Sequence, residues 1–180
     1  GDALQSLAFA LLAGAGDADA ALRVRWLQTL ADAAGAAGMC GGQALDIDAT
    51  GAVQPLAALE RMHALKTGAL IRASVRLGAL GGGADAGALA QLDAFATALG
   101  LAFQVRDDIL DVEASSEQLG KTAGKDAAQA KSTFPALLGM DGAKAKLAEL
   151  ASAMRDGLHG HGARADALAA LARLAVDRSH

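Results

Sequence analysis

Gly100-Leu101-Ala102-Phe103-Gln104-Val105-Arg106-Asp107-Asp108-Ile109-Leu110-Asp111-Val112-Glu113 reads as a helix with two polar edges. At about 100° per residue, with Asp107 as zero, Asp111 lies at about 40° and Asp108 at about 100°. Gln104 falls at about 60° and Gly100 at about 20°, so an amide and a gap join the same stripe. Phe103 and Leu110 flank it on one side, and Leu101, Val105, Ile109 and Val112 on the other. Arg106 and Glu113 form a separate polar edge. A helix resting on a core needs one polar face, not two. The second points to a carboxylate stripe that lines an internal cavity.

Such a stripe is unfavourable if left alone. Carboxylates at i,i+4 repel by about a few tenths of a kcal/mol in water, and by more where the dielectric is low. Either one acid protonates or a cation sits among them. Oxygen-only ligands favour a hard divalent ion, and Mg²⁺ typically takes one or two carboxylates and completes its shell with water and substrate phosphate.

The rest of the chain is the setting for that helix. Its 180 residues suffice for one domain with a sizeable core. Hydrophobic residues make up 53%, much of it alanine, with two prolines and no tyrosine. Alanine-rich helical periodicity with few β-branched runs predicts an all-α protein. Net charge is −4 and no basic stretch carries interleaved aromatics, which argues against nucleic-acid binding. Cys40 is the lone cysteine, so no internal disulfide forms, in keeping with a reducing, cytoplasmic compartment. The longest early uncharged runs, residues 3–16 and 33–45, have the length of core helices rather than membrane spans. No basic n-region of a signal peptide precedes them. The chain opens on Gly1-Asp2 with an apolar helical pattern at once, and it reads as a piece of a longer protein.

Turn signals divide the chain into about eight helices. The first covers 2–13; a second, capped by Asp19, runs to Ala34 with Leu22, Trp26, Leu27 and Leu30 inward. A third covers 38–46, a long fourth runs from Pro55 to Leu80, and a fifth over 85–112 carries the stripe. A polar loop at 115–125 leads to helices at 127–138, 143–157 and 164–177. No linker splits the chain.

After the stripe comes Gly120-Lys121-Thr122-Ala123-Gly124-Lys125-Asp126, with Lys131 about one turn into the next helix. Lysine is a mobile point charge for phosphate, and glycine lets backbone N–H groups approach an anion. Alone, this is a solvated loop, and GxxxxGK[ST] spacing is absent. Beside a carboxylate stripe it reads as the anion half of a metal–diphosphate site. Lys66-Thr67-Gly68 sits mid-helix, where glycine is unfavourable by about 1 kcal/mol relative to alanine and Thr67 can bond back to the preceding turn. A kink at a binding site explains both, and a packing glycine does so equally. Gly38-Met39-Cys40-Gly41-Gly42-Gln43-Ala44-Leu45-Asp46 holds three glycines in a helical pattern, which suits close helix–helix approach, and places Gln43 and Asp46 on one face.

Other chemistries fail on register. Asp46 opens like an EF-hand, but Ala57 stands where a bidentate Glu is needed. Glu60-x-x-His63 is half of a di-iron motif without its other half. His159, His161 and His180 lie in a glycine-rich connection and the tail, and Cys40 lacks zinc-type partners. GxSxG and HExxH do not occur.

In this order the motifs resemble the C-terminal part of a trans-isoprenyl diphosphate synthase, most like bacterial farnesyl diphosphate synthases (geranyltranstransferases). The residues that carry the likeness are Gly1-Asp2, GMCGGQALD at 38–46, Lys66-Thr67-Gly68, Phe103-Gln104-x-x-Asp107-Asp108-x-x-Asp111, Gly120-Lys121, Lys125-Asp126 and Lys131-Ser132-Thr133-Phe134-Pro135. The resemblance implies an antiparallel all-α bundle around a deep cavity, usually a homodimer. It also implies head-to-tail condensation of an allylic diphosphate (dimethylallyl or geranyl) with isopentenyl diphosphate, using Mg²⁺ or Mn²⁺ in its place. By position, Asp107, Asp108 and Asp111 would hold metal, directly or through water, and Lys66, Lys121 and Lys131 the allylic diphosphate. Thr67 and Gln104 would border the reacting carbons, with Gln43 and Asp46 supporting them from behind. The family's first aspartate-rich motif and its isopentenyl-diphosphate-binding basic residues have no counterpart here, so the chain alone is expected to be inactive. A non-catalytic helical subunit and a terpene cyclase are the rival readings. Against them stand the intact DDxxD with its lysines, and the Asn/Ser/Glu character usual in a cyclase's second metal motif.

Overall fold

The computed structural model describes residues 1–119 and 132–178; Lys121, Lys125 and Lys131 lie outside them, as do the side chains of 115–119. Among the described residues eight α-helices follow one another: α1 (Asp2–Ala13), α2 (Ala20–Ala34), α3 (Met39–Asp48), α4 (Leu56–His63), α5 (Ala69–Gly81), α6 (Ala86–Leu119), α7 (Phe134–Leu158) and α8 (Asp166–Asp177). A π-helical turn, Ala64–Gly68, joins α4 to α5, and a 3₁₀ turn, Gly162–Ala165, precedes α8. The described residues contain no strand, in agreement with the all-α expectation.

Local chemistry sets most boundaries. The Asp19 carboxylate accepts the Leu22 N–H at 2.7 Å and starts α2, and Asp85 does the same for Ala88 at 2.8 Å before α6. Pro55 supplies the residue before α4, and the Thr133 hydroxyl accepts the Ala136 N–H at the head of α7. Gly83 ends the α5 connection at φ +71.

α6 is the axis of the molecule. Its 34 residues span about 50 Å, with α5 and the π turn on one flank and α7 and α8 on another. Phe95, Ala96, Ala102, Val105 and Ile109 are completely buried against Leu59, Met62, Phe134, Ala143, Leu147 and Met154. Alanines at 96, 98 and 102 let the facing helices approach closely. Gly157 of α7 also does so, since a Cβ there would stand 3.0 Å from the Phe95 backbone. Residues 86–114 are long and apolar enough to cross a bilayer by length and composition; here they form the bundle's central helix. By contrast, α1 packs chiefly on α2, buries no residue, and leaves Leu4, Leu7 and Leu11 exposed.

Four expectations differ from the structure. The single long helix expected from Pro55 to Leu80 widens into the π turn at Lys66-Thr67-Gly68, where a kink was one of two readings. α6 continues to Leu119, through the start of the expected polar loop. Helices expected at 127–138 and 143–157 are joined across Gly139, whose φ of +73 marks a kink. Of α2's expected inward residues only Leu30 is fully buried, while Leu22, Trp26 and Leu27 are half-buried. Trp26 instead spends its indole N–H on the Leu77 carbonyl at 3.0 Å, tying α2 to α5.

Candidate active site

Three glycines bring the polar residues together. A Cβ on Gly42 would lie 2.2 Å from the Lys66 backbone nitrogen, and one on Gly100 would lie 2.7 Å from the Gly68 Cα. Hence α3, the π turn and α6 cross at backbone contact, which only glycine permits. The wider π turn, a feature common at functional sites, places Lys66 over α3. There its ammonium donates to the Asp46 carboxylate at 2.7 Å, with the side chains 34% and 12% exposed. Thr67 is half-buried in the same turn, and Gln43 is exposed on α3.

The stripe starts one turn beyond the Gly100 crossing. Gln104 donates through Nε2 to Asp107 Oδ2 at 3.3 Å. Asp108 takes a different partner: its Oδ2 accepts the Phe134 backbone N–H at 2.9 Å, securing the first turn of α7. Asp111 is exposed. Among the described residues α5, α7 and α8 pack on the other faces of α6 and leave Asp107 partly exposed and Asp111 exposed. A groove of about 780 Å³ runs along Arg25, Leu65, Gly68, Arg72, Arg76 and Thr97 and includes none of the three aspartates. Among the described residues no three Asp, Glu, His or Cys side chains converge as a ready cage. Mg²⁺ needs none, since two carboxylates with water and phosphate complete its shell. The oxygen-only donor set fits that ion.

The structure also supplies a residue that sequence reasoning missed. Arg178, just beyond α8, ion-pairs with Asp107 through Nη2, and its side chain is 18% exposed against 39% for the aspartate. The same nitrogen donates to the Phe103 carbonyl at 3.0 Å, and the guanidinium lies 3.9 Å over the Phe103 ring. Arg106, from the second polar edge of α6, donates Nε and Nη2 to the Arg178 carbonyl at 2.9 and 2.6 Å. The stripe's need for a cation is met here by an arginine. No local pattern signals a partner 71 residues away.

Comparison with known proteins bears on this geometry directly. The polyprenyl synthetase family matches residues 1–171. The chain is 54% identical over 165 residues to farnesyl diphosphate synthase of Escherichia coli (strain K12), covering 88% of this chain and 54% of that protein. It superposes on an FPP/GFPP synthase of Zymomonas mobilis with TM-score 0.84 at 35% identity, covering 97% of this chain and 59% of that one. A geranyltransferase of Helicobacter pylori, solved in complex with magnesium and isoprenyl diphosphate, matches with TM-score 0.73 at 32% identity, over 98% and 56%. The chain thus spans a little over half the length of the proteins it matches. With its α6 aspartates, its glycine-crossed lysine turn and nearly its whole length inside the match, the chain belongs to the polyprenyl synthetase family.

Proposed function

We propose that the protein carrying this chain is a short-chain prenyltransferase. It joins an allylic diphosphate to isopentenyl diphosphate, head to tail, and makes farnesyl diphosphate or a product of similar length. The observation that carries this reading is the glycine crossing: Gly68, two residues after Lys66, meets Gly100, which stands one helical turn before Gln104 and two before Asp107. The names of the relatives and the ligands of the Helicobacter pylori protein support it.

In this reading Asp107 and Asp111 present oxygens to Mg²⁺, and Asp108 holds α7 in register beside them. Mg²⁺ when bound neutralises charge on the departing diphosphate. Asp46 holds the Lys66 ammonium towards the allylic diphosphate, so little side-chain entropy remains to be lost on binding. Lys121 and Lys131 complete the anion site. Thr67 and the Gln104 carboxamide face the reacting carbons and orient dipoles towards the developing allylic charge. Gln43 supports the site from α3. The working form is a cytoplasmic homodimer.

The test is product formation from labelled isopentenyl diphosphate with dimethylallyl or geranyl diphosphate. The complete enzyme is expected to be active with Mg²⁺, and residues 1–180 alone to show negligible turnover. Robust turnover by the 180-residue chain would show that one wall of the site suffices. Absence of activity in the complete enzyme would favour a non-catalytic subunit.

A further inference from the structure

We infer that Arg178 and a divalent cation compete for Asp107, so that metal loading releases the segment after α8 from α6; this rests on reading Asp107 as a metal ligand. Three observations converge on it. Both Asp107 oxygens are engaged, Oδ1 by Arg178 and Oδ2 by Gln104. The arginine approaches the stripe from the end of another helix, so its position can change without unfolding α6. Its Nε is buried with no acceptor, so the seat over Phe103 satisfies the guanidinium incompletely.

A dication and a guanidinium on one carboxylate repel each other, and the low exposure of Arg178 limits screening by water and salt. Mg²⁺ also requires near-octahedral geometry, which a fixed neighbouring fork of N–H donors obstructs. Arg178 therefore serves as a tethered counter-ion that keeps the stripe neutralised before metal arrives. Arg106 holds the backbone of that tether by its carbonyl. Linkage makes the competition reciprocal: whatever factor Arg178 removes from metal affinity, metal removes from the arginine's hold on α6.

The experiment uses the complete protein without substrate and Mn²⁺ as the probe, its free ion counted by electron paramagnetic resonance. Arg178→Gln is expected to bind Mn²⁺ about 5–50-fold more tightly than wild type, and Arg178→Lys, which keeps the charge but loses the fork, to fall between. In limited trypsin digestion followed by intact mass, Mn²⁺ is expected to speed cleavage of the Arg178–Ser179 bond in wild type. Asp111→Asn should show slow cleavage at the same Mn²⁺ concentration, because its latch is intact and its metal site weakened. Unchanged or weaker Mn²⁺ binding by Arg178→Gln, with binding abolished in Asp107→Asn, overturns the competition while leaving the metal site standing. Equal binding by wild type, Arg178→Gln and Asp107→Asn overturns the metal site itself, and the inference with it.

Discussion

The two halves of the site are built on opposite principles. At the Lys66 end, backbones touch: Gly42 meets Lys66, Gly100 meets Gly68, and the Lys66–Asp46 ion pair sits behind that contact. At the Asp107 end, the carboxylates stand on a partly exposed helix face, and two of them meet different distant groups. Arg178 comes to Asp107 and the Phe134 N–H to Asp108. The first half is fixed by packing, which tolerates no added atom. The second is held by charge, which can exchange one partner for another. Under the proposed function, a lysine that gripped diphosphate would gain from the first arrangement, and a metal site that loaded and unloaded would gain from the second.

Substitutions separate these halves. In the complete enzyme Asp107→Ala is expected to lower kcat about 10³-fold, as loss of a principal charge-stabilising group does, with the melting temperature nearly unchanged. Near-normal turnover would make the stripe merely structural. Gly42→Ala should do the reverse, since its Cβ would stand 2.2 Å from a backbone nitrogen. A destabilisation of about 3 kcal/mol follows from such overpacking, or about 6–12 °C in Tm by calorimetry. An unshifted Tm would show that α3 can move away from the π turn.

Smaller effects resolve the two aspartates. Asp108→Ala removes the acceptor at the head of α7 and should cost about 1 kcal/mol in urea denaturation, whereas Asp107→Ala should cost little. Equal losses would mean that both carboxylates play the same part.

The smallest expected effect lies away from the site, where Lys146 of α7 ion-pairs with Glu60 of α4 at 3.2 Å and with Glu149 at 3.5 Å. Burial lowers the Lys146 pKa, but hydrogen bonds and charge from Glu60 and Glu149 outweigh it and leave the ammonium above its ordinary 10.5. A pKa raised in the folded state stabilises fully below the unfolded value and is lost as pH climbs through the folded one. Wild type should therefore lose slightly more stability than Lys146→Met between about pH 10 and 12. Parallel urea midpoints across that range would show that the α4–α7 bridge contributes nothing.

Much of this architecture was legible in the residues. Asp19, Pro55 and Gly14 bound helices where local hydrogen bonding and φ restrictions say they should. The 100–113 pattern placed Gln104, Asp107 and Asp108 along one helix because side-chain direction in a helix follows from spacing alone. The three glycines of 38–42 were legible as a close-approach signal, and Gly42 makes that approach. The π turn was legible only as an unexplained glycine after Lys66-Thr67, since propensity does not distinguish a widened turn from a packing contact. What faces the stripe was not legible in it, because enclosure depends on the elements opposite α6 and not on α6 itself.

What the sequence determined by itself was therefore the local order: most helix starts, a carboxylate stripe of known phase, and a lysine beside a glycine. Periodicity and capping act over a few residues, so these could be read without the fold. What only the tertiary structure decided was the partnership of each charge. Lys66 was assigned to Asp46, Asp108 to the head of α7, and Asp107 to Arg178. Those pairings span 20, 26 and 71 residues. An unpaired charge near a protein interior takes whichever partner the packed helices bring within reach, and that is a property of their crossing rather than of any stretch of sequence.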